Sequence, residues 1–181
     1  MNTLQAIFTR YSYRGIYENT PIPREDLKQI MEAGLAAPSG SNLQTTSLIG
    51  LDDPDTLNTV VQHLTKRFPF ASAPAAICVI TEHISKYDDI MFYTQDYSAA
   101  IENMLLAITD MGYASCWVEG HLRRDREKES NLSICKELGI PENYELVAYL
   151  PIGIPERKDF PRAKKKEFSE RAWFNGFKKQ Q

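Results

Sequence analysis

The 181 residues include 43% hydrophobic and 25% charged side chains, a composition typical of a globular protein with a real core. The formal net charge of −3 gives no basic field for nucleic acid, and no apolar run reaches the roughly 18 residues that span a bilayer. Three widely spaced cysteines and a start without signal-peptide character predict a cytoplasmic protein with reduced thiols. We expect one domain over residues 1–181, with 154–181 as a basic and aromatic tail.

Apolar periodicity predicts helices over residues 3–9, 23–36, 54–65, 95–111 and 124–138. The first is amphipathic, with Leu4, Ile7, Phe8 and Tyr11 along its apolar side. The second stops before Pro38, because the residue before a proline is biased away from helix. The fourth is apolar nearly all round, which predicts a buried central helix.

Strands are expected over residues 45–51, 75–80, 114–118 and 146–152. Helices mixed with buried strands indicate an α/β or α+β fold. A dinucleotide-binding fold has no support, because no G-x-G-x-x-G follows any strand. The three histidines (His63, His83 and His121) lack metal-ligand spacing, so no metal is expected.

Two arginines and a hydroxyl occur within five residues in the segment Arg10-Tyr11-Ser12-Tyr13-Arg14. Arginine stays charged and offers a planar fork of donors that fits phosphate, so this segment suits an anionic ligand. An arginine pair on a solvated turn after a helix is the plainer alternative, which the segment alone leaves open.

A loop of mostly small residues follows the second predicted helix, from Pro38 to Gln44. Its small residues let backbone approach a flat ring, and the amides of Asn42 and Gln44 can satisfy the polar edge of a heterocycle. An ordinary helix-to-strand loop is the alternative. Taken together, a phosphate at one end and a hydrogen-bonding heterocycle at the other describe flavin mononucleotide (FMN).

Two later segments add to this pattern. Gly112 to Gly120 follows the apolar helix and ends in Glu119-Gly120, and a basic run begins at Pro161 and includes Arg162 and Lys164. A surface carboxylate at a strand end and a solvated basic tail are the alternatives for these two segments.

The order and spacing of the four segments resemble the nitroreductase family of FMN-dependent NAD(P)H oxidoreductases, over residues 4 to 166. The resemblance implies an α+β, nitroreductase-like fold with a central, mainly antiparallel sheet flanked by helices. It further implies an interlocked homodimer with two FMN sites at its interface, in which the tail 154–181 packs on the partner.

The family pattern also implies which residues bind the cofactor. Phosphate anchors are Arg10, Ser12, Arg162 and Lys164, and the remaining cofactor contacts are Tyr11, Arg14, Pro38, Ser39, Asn42, Gln44, Glu119 and Gly120. A backbone N–H at the Glu119-Gly120 step is expected to face flavin N5, where a donor favours hydride addition. Arg14 is the first choice for a cation beside N1 and O2, with Lys66 or Arg67 second.

The implied activity passes a hydride from NADH or NADPH through flavin N5 to an electron-poor small molecule, such as a nitroaromatic or a quinone. The alternatives are a specialised relative of the same fold, either a reductive dehalogenase or a flavin-consuming enzyme, and a non-catalytic flavin-binding protein. Four aromatic residues are candidates to line the acceptor pocket or to pack in the core: Phe68, Phe70, Phe92 and Tyr93.

One departure from the family pattern concerns the residues after Gln44. The family often continues N-x-Q-P-W, whereas this chain has Thr45 and Thr46. Because threonine lacks both the fixed φ of proline and the bulk of tryptophan, we expect a changed acceptor pocket with the same cofactor.

Overall fold

The structure is a computed structural model. It describes residues 2–64, 68, 70–87, 90–120 and 125–177. The α-helices within these residues are α1 (Thr3–Thr9), α2 (Arg24–Leu35), α3 (Pro54–His63), α4 (Tyr93–Asp110) and α5 (Asp125–Glu137). The strands are β1 (Thr46–Leu51), β2 (Ala75–Glu82), β3 (Ala114–Ser115), β4 (Val118–Glu119) and β5 (Tyr144–Gly153). All five predicted helices are confirmed, each with ends within two residues of the prediction. Among the described residues, no helix combines the length and apolarity that a membrane span requires.

The strands form one antiparallel sheet in the order β1-β2-β5-β3, and β4 pairs with β5 beyond β3. Helices cover both faces of this sheet. Alternate residues of β2 point to opposite faces: Ile77 and Val79 pack with α2 and α4, whereas Cys78 and Ile80 pack with α3 and α5. The α+β class and the mainly antiparallel sheet are therefore confirmed, and β2 is a continuous apolar run because both its faces are buried.

The strand predicted over residues 114–118 is interrupted. Ser115 aligns with Ile152 of β5, and its carbonyl accepts a hydrogen bond from Tyr13 on the side away from β5. Backbone groups of successive strand residues alternate sides, so Cys116 is the residue that faces β5, opposite Pro151. Because proline has no N–H to donate, the ladder breaks there and resumes at Val118.

Helix α4 is buried on one side only, which corrects the expectation of a wholly buried helix. Ala100, Ile101 and Met104 are covered, whereas Glu102 is exposed and Leu106 is half-buried.

The predicted apolar side of α1 is also mostly uncovered. Leu4 is 63% exposed and Phe8 is 77% exposed, and Ala6 is the buried residue of this helix. A capping box between Asn2 and Gln5 stabilises the start of the helix. Its apolar side nevertheless does not face the core of its own chain.

Candidate functional site

The arginine-containing segment runs alongside β3. Ser12 forms a parallel bridge with Ser115, and the Tyr13 N–H donates to the Ser115 carbonyl at 2.9 Å. Tyr13 is fully buried, which fixes the segment against the core. The pairing therefore holds Ser12 beside the strand that leads, four residues after Ser115, to Glu119.

Arg10 is the C-cap of α1, where the backbone leaves the helical conformation with φ −55° and ψ 135°. Its Nε lies 3.2 Å from Oε1 of Glu102 on α4, and the Arg10 side chain is 19% exposed. Guanidinium carries five N–H donors, so this one contact leaves further donors for an anion. The structure thus presents a fixed cation beside Ser12.

The basic tail returns to the same segment. The Arg162 guanidinium lies 4.8 Å from the centroid of the Tyr11 ring, and the Phe160 ring stacks on Tyr11 at 6.4 Å. Burial raises the pKa of the Tyr11 phenol, and the positive charge of Arg162 opposes that rise. Lys164 is exposed two residues further along. Arg162 and Tyr11, from opposite ends of the sequence, are therefore neighbours.

Arg14 is exposed and lies close enough to Cys116 to favour its thiolate electrostatically. Burial of Cys116 outweighs this effect and raises its pKa to about 11. The thiol stays protonated near neutral pH, which is the behaviour of a buried core cysteine rather than of a nucleophile.

The Pro38–Gln44 loop has an unusual backbone. Three of its residues have positive φ although none is glycine: Ser41 at 53°, Asn42 at 56° and Gln44 at 50°. The Gln44 N–H donates to Ser39 Oγ at 3.0 Å, and the Asn42 N–H donates to the Ser39 carbonyl at 3.1 Å. The Asn42 and Gln44 residues are exposed, so this folded loop presents both amides at the surface.

A buried carboxylate that sequence reasoning missed holds this loop. Asp96, in the first turn of α4, accepts from the Gly40 N–H at 2.7 Å and from the Thr45 hydroxyl at 2.8 Å. Asp96 is 4% exposed and Thr45 is 1% exposed. The available signal was an acidic residue at the start of an otherwise apolar helix, and that signal is common because carboxylates favour helix N-termini.

The Glu119-Gly120 step lies at the end of β4. The Gly120 N–H donates to the Val147 carbonyl at 2.9 Å, so this donor is used inside the sheet. Glu119 lies an even number of residues after Ser115, so strand alternation directs its N–H to the side of Ser12. Gly120 is required by close approach, because a Cβ there would lie 2.9 Å from the Val147 carbonyl carbon.

Asn131 on α5 is a second residue that the sequence did not reveal. Its Nδ2 donates to the Gly120 carbonyl at 2.7 Å and to the Leu146 carbonyl at 3.2 Å, and its Oδ1 accepts from the Tyr149 hydroxyl at 2.7 Å. This amide ties the end of β4 to β5. Its partners lie 11 to 18 residues away in sequence, so no local motif marks it.

A pocket of about 170 Å³ opens beside the loop. It is lined by Gly34, Leu35, Ala37, Pro38, Ser39, Gln44, Thr46, Asp96 and Ala100. Thr46 Oγ1 is buried without a hydrogen-bond partner among the described residues. Thr46 therefore borders a small pocket where the family pattern has a much larger tryptophan, and the effect of this difference on the acceptor pocket stays a prediction.

Helix α4 separates the two groups of predicted site residues. The loop contacts the helix at Asp96, and Arg10 contacts it at Glu102. Six helical residues correspond to about 9 Å along the axis and about 120° around it. The arginine segment, Arg162 and Glu119 thus form one group, which we call the anion group, and the Pro38–Gln44 loop forms another, the loop group.

The aromatic candidates for an acceptor pocket do not behave alike. Phe70 is 1% exposed and packs edge-on against Tyr149, so it is a core residue. Phe92 lies against the backbone of Gly40, Tyr93 stacks on His83 at 4.2 Å, and Phe68 is exposed.

Lys66, Arg67 and His121 lie outside the described residues. Within the described part of the chain, no cluster of His, Cys, Asp and Glu could hold a metal ion.

Comparison with known proteins identifies the family of this chain. The sequence profile of the Nitroreductase family matches residues 7–76 and 58–154. The chain belongs to the nitroreductase family. A relative from Archaeoglobus fulgidus, provisionally named NADH dehydrogenase/NAD(P)H nitroreductase, is 36% identical over 163 residues, which are 88% of this chain and 90% of the relative.

Solved structures of nitroreductases share the fold. An FMN-dependent nitroreductase from Clostridium difficile R20291 has a TM-score of 0.78 and 26% identity, covering 96% of this chain and 99% of that one. A nitroreductase from Bacteroides fragilis NCTC 9343, determined with bound FMN, has a TM-score of 0.73 and 26% identity, covering 92% of this chain and 95% of that one.

Proposed function

We propose that this nitroreductase-family protein is an FMN-dependent NAD(P)H oxidoreductase that reduces an electron-poor small molecule such as a nitroaromatic or a quinone. The observation that carries the proposal is the pairing of Ser12 with Ser115. It brings an arginine-and-hydroxyl segment beside β3, whose chain reaches Glu119 four residues later, so an anion anchor and a backbone donor lie along the same edge of the sheet.

The residues present have the chemistry that FMN needs. Arg10, Ser12 and Arg162 supply two cations and a hydroxyl for a phosphate, and the loop supplies exposed amides for the polar edge of a ring. Beside each group lies one buried hydroxyl without a partner among the described residues, Ser115 Oγ next to Ser12 and Thr46 Oγ1 just after the loop. A polar atom left unpaired in this way disfavours the empty arrangement by about 1–3 kcal/mol.

Within this proposal each predicted cofactor-binding residue has a defined task. Arg10, Ser12, Arg162 and Lys164 neutralise and orient the phosphate; Tyr11, Arg14, Pro38, Ser39, Asn42, Gln44, Glu119 and Gly120 contact the rest of the cofactor. The bound flavin supplies the two-electron chemistry between nicotinamide and acceptor. Arg14 offers positive charge near the ring, and the Glu119 N–H, rather than that of Gly120, is the backbone donor, because Gly120 already bonds Val147.

We further propose that the active unit is a homodimer of single-domain chains in which the tail 154–181 packs on the partner. The separation of the anion group from the loop group by α4 supports sites shared between two chains. In each site, one chain would supply the anion group and its partner would supply the loop group. The uncovered side of α1 and the exposed Phe174 and Phe177 of the tail provide apolar surface for such a contact. The three cysteines are free, which suits the reducing cytoplasm where we place the activity.

The purified protein tests this function directly. We expect a yellow protein whose flavin is released by acid with the mass of FMN, and steady oxidation of NADH or NADPH when a nitroaromatic or quinone is added. An Asn58→Asp variant, altered at an exposed position of α3, should behave like the wild type. Release of FAD, or a colourless protein that FMN does not titrate, would contradict the cofactor. Bound FMN that neither nicotinamide reduces would instead indicate a flavin-binding protein without turnover.

A further inference from the structure

The loop group has a support of its own in Asp96. Resting on the proposed function, we propose that Asp96 is a positioning residue that holds the Pro38–Gln44 loop in the conformation that meets the flavin. The carboxylate does not itself have to reach the ligand. It acts through Gly40 and Thr45, the residues it binds at the two ends of the folded part of the loop.

The loop needs such a support because its backbone is strained. Ser41, Asn42 and Gln44 all adopt left-handed φ values that non-glycine residues rarely populate. Each such residue is disfavoured relative to ordinary backbone, and strained conformations persist only where surrounding contacts over-determine them. Internal hydrogen bonds that Ser39 accepts from the Asn42 and Gln44 N–H groups account for part of that support.

Asp96 supplies contacts from outside the loop, one with each oxygen. Oδ1 accepts from the Gly40 N–H at 2.7 Å, and Oδ2 accepts from the Thr45 hydroxyl at 2.8 Å. Gly40 and Thr45 bracket the strained residues, so a single carboxylate links both ends of the turn to α4. Both oxygens are satisfied in a buried position, and hydrogen bonds to a charged acceptor are stronger than neutral ones.

We call the two hydrogen bonds from Gly40 and Thr45 to Asp96 the clamp, and all three of these residues are themselves held in place. The Thr45 carbonyl accepts from the Glu82 N–H at 3.0 Å and from the Thr81 hydroxyl at 3.3 Å, which ties Thr45 to the end of β2. Asp96 lies in the first turn of α4, where the helix dipole favours an anion. Gly40 also packs so closely on Phe92 that a Cβ there would lie 2.3 Å from its side chain.

The clamp explains the departure from the family pattern after Gln44. Proline at position 45 would fix its own φ but would offer no hydroxyl to Asp96. Threonine at this position has no fixed φ, but its buried hydroxyl donates to Asp96. The conformation of this loop therefore depends on its contact with α4. The Thr45–Asp96 pair therefore takes over, in this chain, the rigidity that proline supplies in the common pattern.

The test separates loop geometry from overall stability. Amide hydrogen exchange of Asn42, Leu43 and Gln44 in flavin-free protein, the FMN dissociation constant and the thermal midpoint are measured for Asp96→Ala, Asp96→Asn and Thr45→Val. Valine is nearly isosteric with threonine, so this variant keeps the core filled. Tyr113→Phe is the matched control, because it removes a hydrogen bond of 2.6 Å to Asp26 away from the loop.

We expect Asp96→Ala to speed exchange of the three amides and to weaken FMN binding, each by about tenfold or more. Thr45→Val should change both in the same direction. Asp96→Asn should lose clearly less than Asp96→Ala in both measurements, because its carbonyl can accept from Gly40 and its amide can donate to Thr45, although these neutral bonds are weaker than bonds to a carboxylate. Tyr113→Phe should lower the thermal midpoint and leave loop exchange and FMN binding unchanged.

Loop exchange and FMN affinity that remain within about twofold of wild type in Asp96→Ala, with only the midpoint lowered, would overturn the positioning role. Equal losses in Asp96→Asn and Asp96→Ala would also overturn it, because the two hydrogen bonds that asparagine can keep would then contribute nothing to the loop. A wild type that binds no FMN defeats the proposed function, and the exchange data then decide separately whether Asp96 holds the loop.

Discussion

Several side chains proposed to hold the cofactor already have a partner inside the chain. Arg10 contacts Glu102, and Arg162 covers the Tyr11 ring. Glu102 is half exposed, and an ion pair with such a solvated partner contributes little to stability. A phosphate can therefore take over the donors of Arg10 without a large loss of folding free energy.

Replacing Arg10 by alanine should reveal which part of the cofactor it meets. We expect a loss of about 1.5–3 kcal/mol in FMN affinity, roughly one to two decades in dissociation constant, because a charge-assisted hydrogen bond is removed. Riboflavin, which lacks the phosphate, should bind the variant as it binds wild type. Fluorescence titration of both ligands measures the difference.

Glu102→Gln is the matched control for this prediction. It removes the carboxylate that pairs with Arg10 but keeps the guanidinium, so FMN affinity should be unchanged or higher. If Arg10→Ala weakened riboflavin and FMN equally, Arg10 would not face the phosphate, and another cation would have to carry that role.

Residue types and spacing were sufficient to predict Arg10, Ser12 and the loop as candidates, because each motif is local. Asp96 and Asn131 could not be predicted in this way. Asp96 binds residues 51 and 56 positions away, so its role exists only once α4 packs beside the loop.

At the level of elements, periodicity predicted all five α-helices of the described chain, because helix burial repeats locally. Periodicity failed at residues 114–118, where an apolar run predicted one strand. The break between β3 and β4 depends on the alignment of Cys116 with Pro151, a residue 35 positions later on another strand. Register between distant strands cannot be read from either segment alone.

The close packing of β4 on β5 gives a testable consequence at Gly120. We expect Gly120→Ala to destabilise the fold by about 1–3 kcal/mol, because its Cβ would press on the β5 backbone at Val147 and Ala148. The same shift should displace Glu119 and weaken FMN binding. Chemical denaturation and FMN titration measure the two effects.

Gly139→Ala separates these effects. Gly139 has a φ of +64° and open space around it, so alanine there is disfavoured by about 1–2 kcal/mol through backbone strain alone. We expect lower stability with unchanged FMN affinity. If Gly120→Ala lost the same stability and also bound FMN normally, the β4–β5 contact would have no part in the site.

At the scale of the whole molecule, the largest difference from the sequence prediction is that apolar side chains expected to be buried lie at the surface. The pattern of α1 correctly marks an amphipathic helix, yet Leu4 and Phe8 face outward. Periodicity identifies an apolar side without specifying what covers it. Together with the one-sided burial of α4, this surface is what a second copy of the chain would cover, as the proposed homodimer requires.

Mixed dimers test whether two chains share each site. Arg10→Ala and Asn42→Asp chains are co-expressed with different affinity tags, and heterodimers are isolated with both tags. If Arg10 of one chain and Asn42 of the other serve the same flavin, one heterodimer site collects both defects and the other is intact. We therefore expect one FMN per heterodimer with wild-type affinity and about half the wild-type activity, although each parent homodimer is impaired at both sites.

Pairing Arg10→Ala with Asn58→Asp provides the control, because it leaves one intact site under either arrangement. Confirmed heterodimers that recover no wild-type site would show that Arg10 and Asn42 of the same chain act together, and the shared-site arrangement would be wrong.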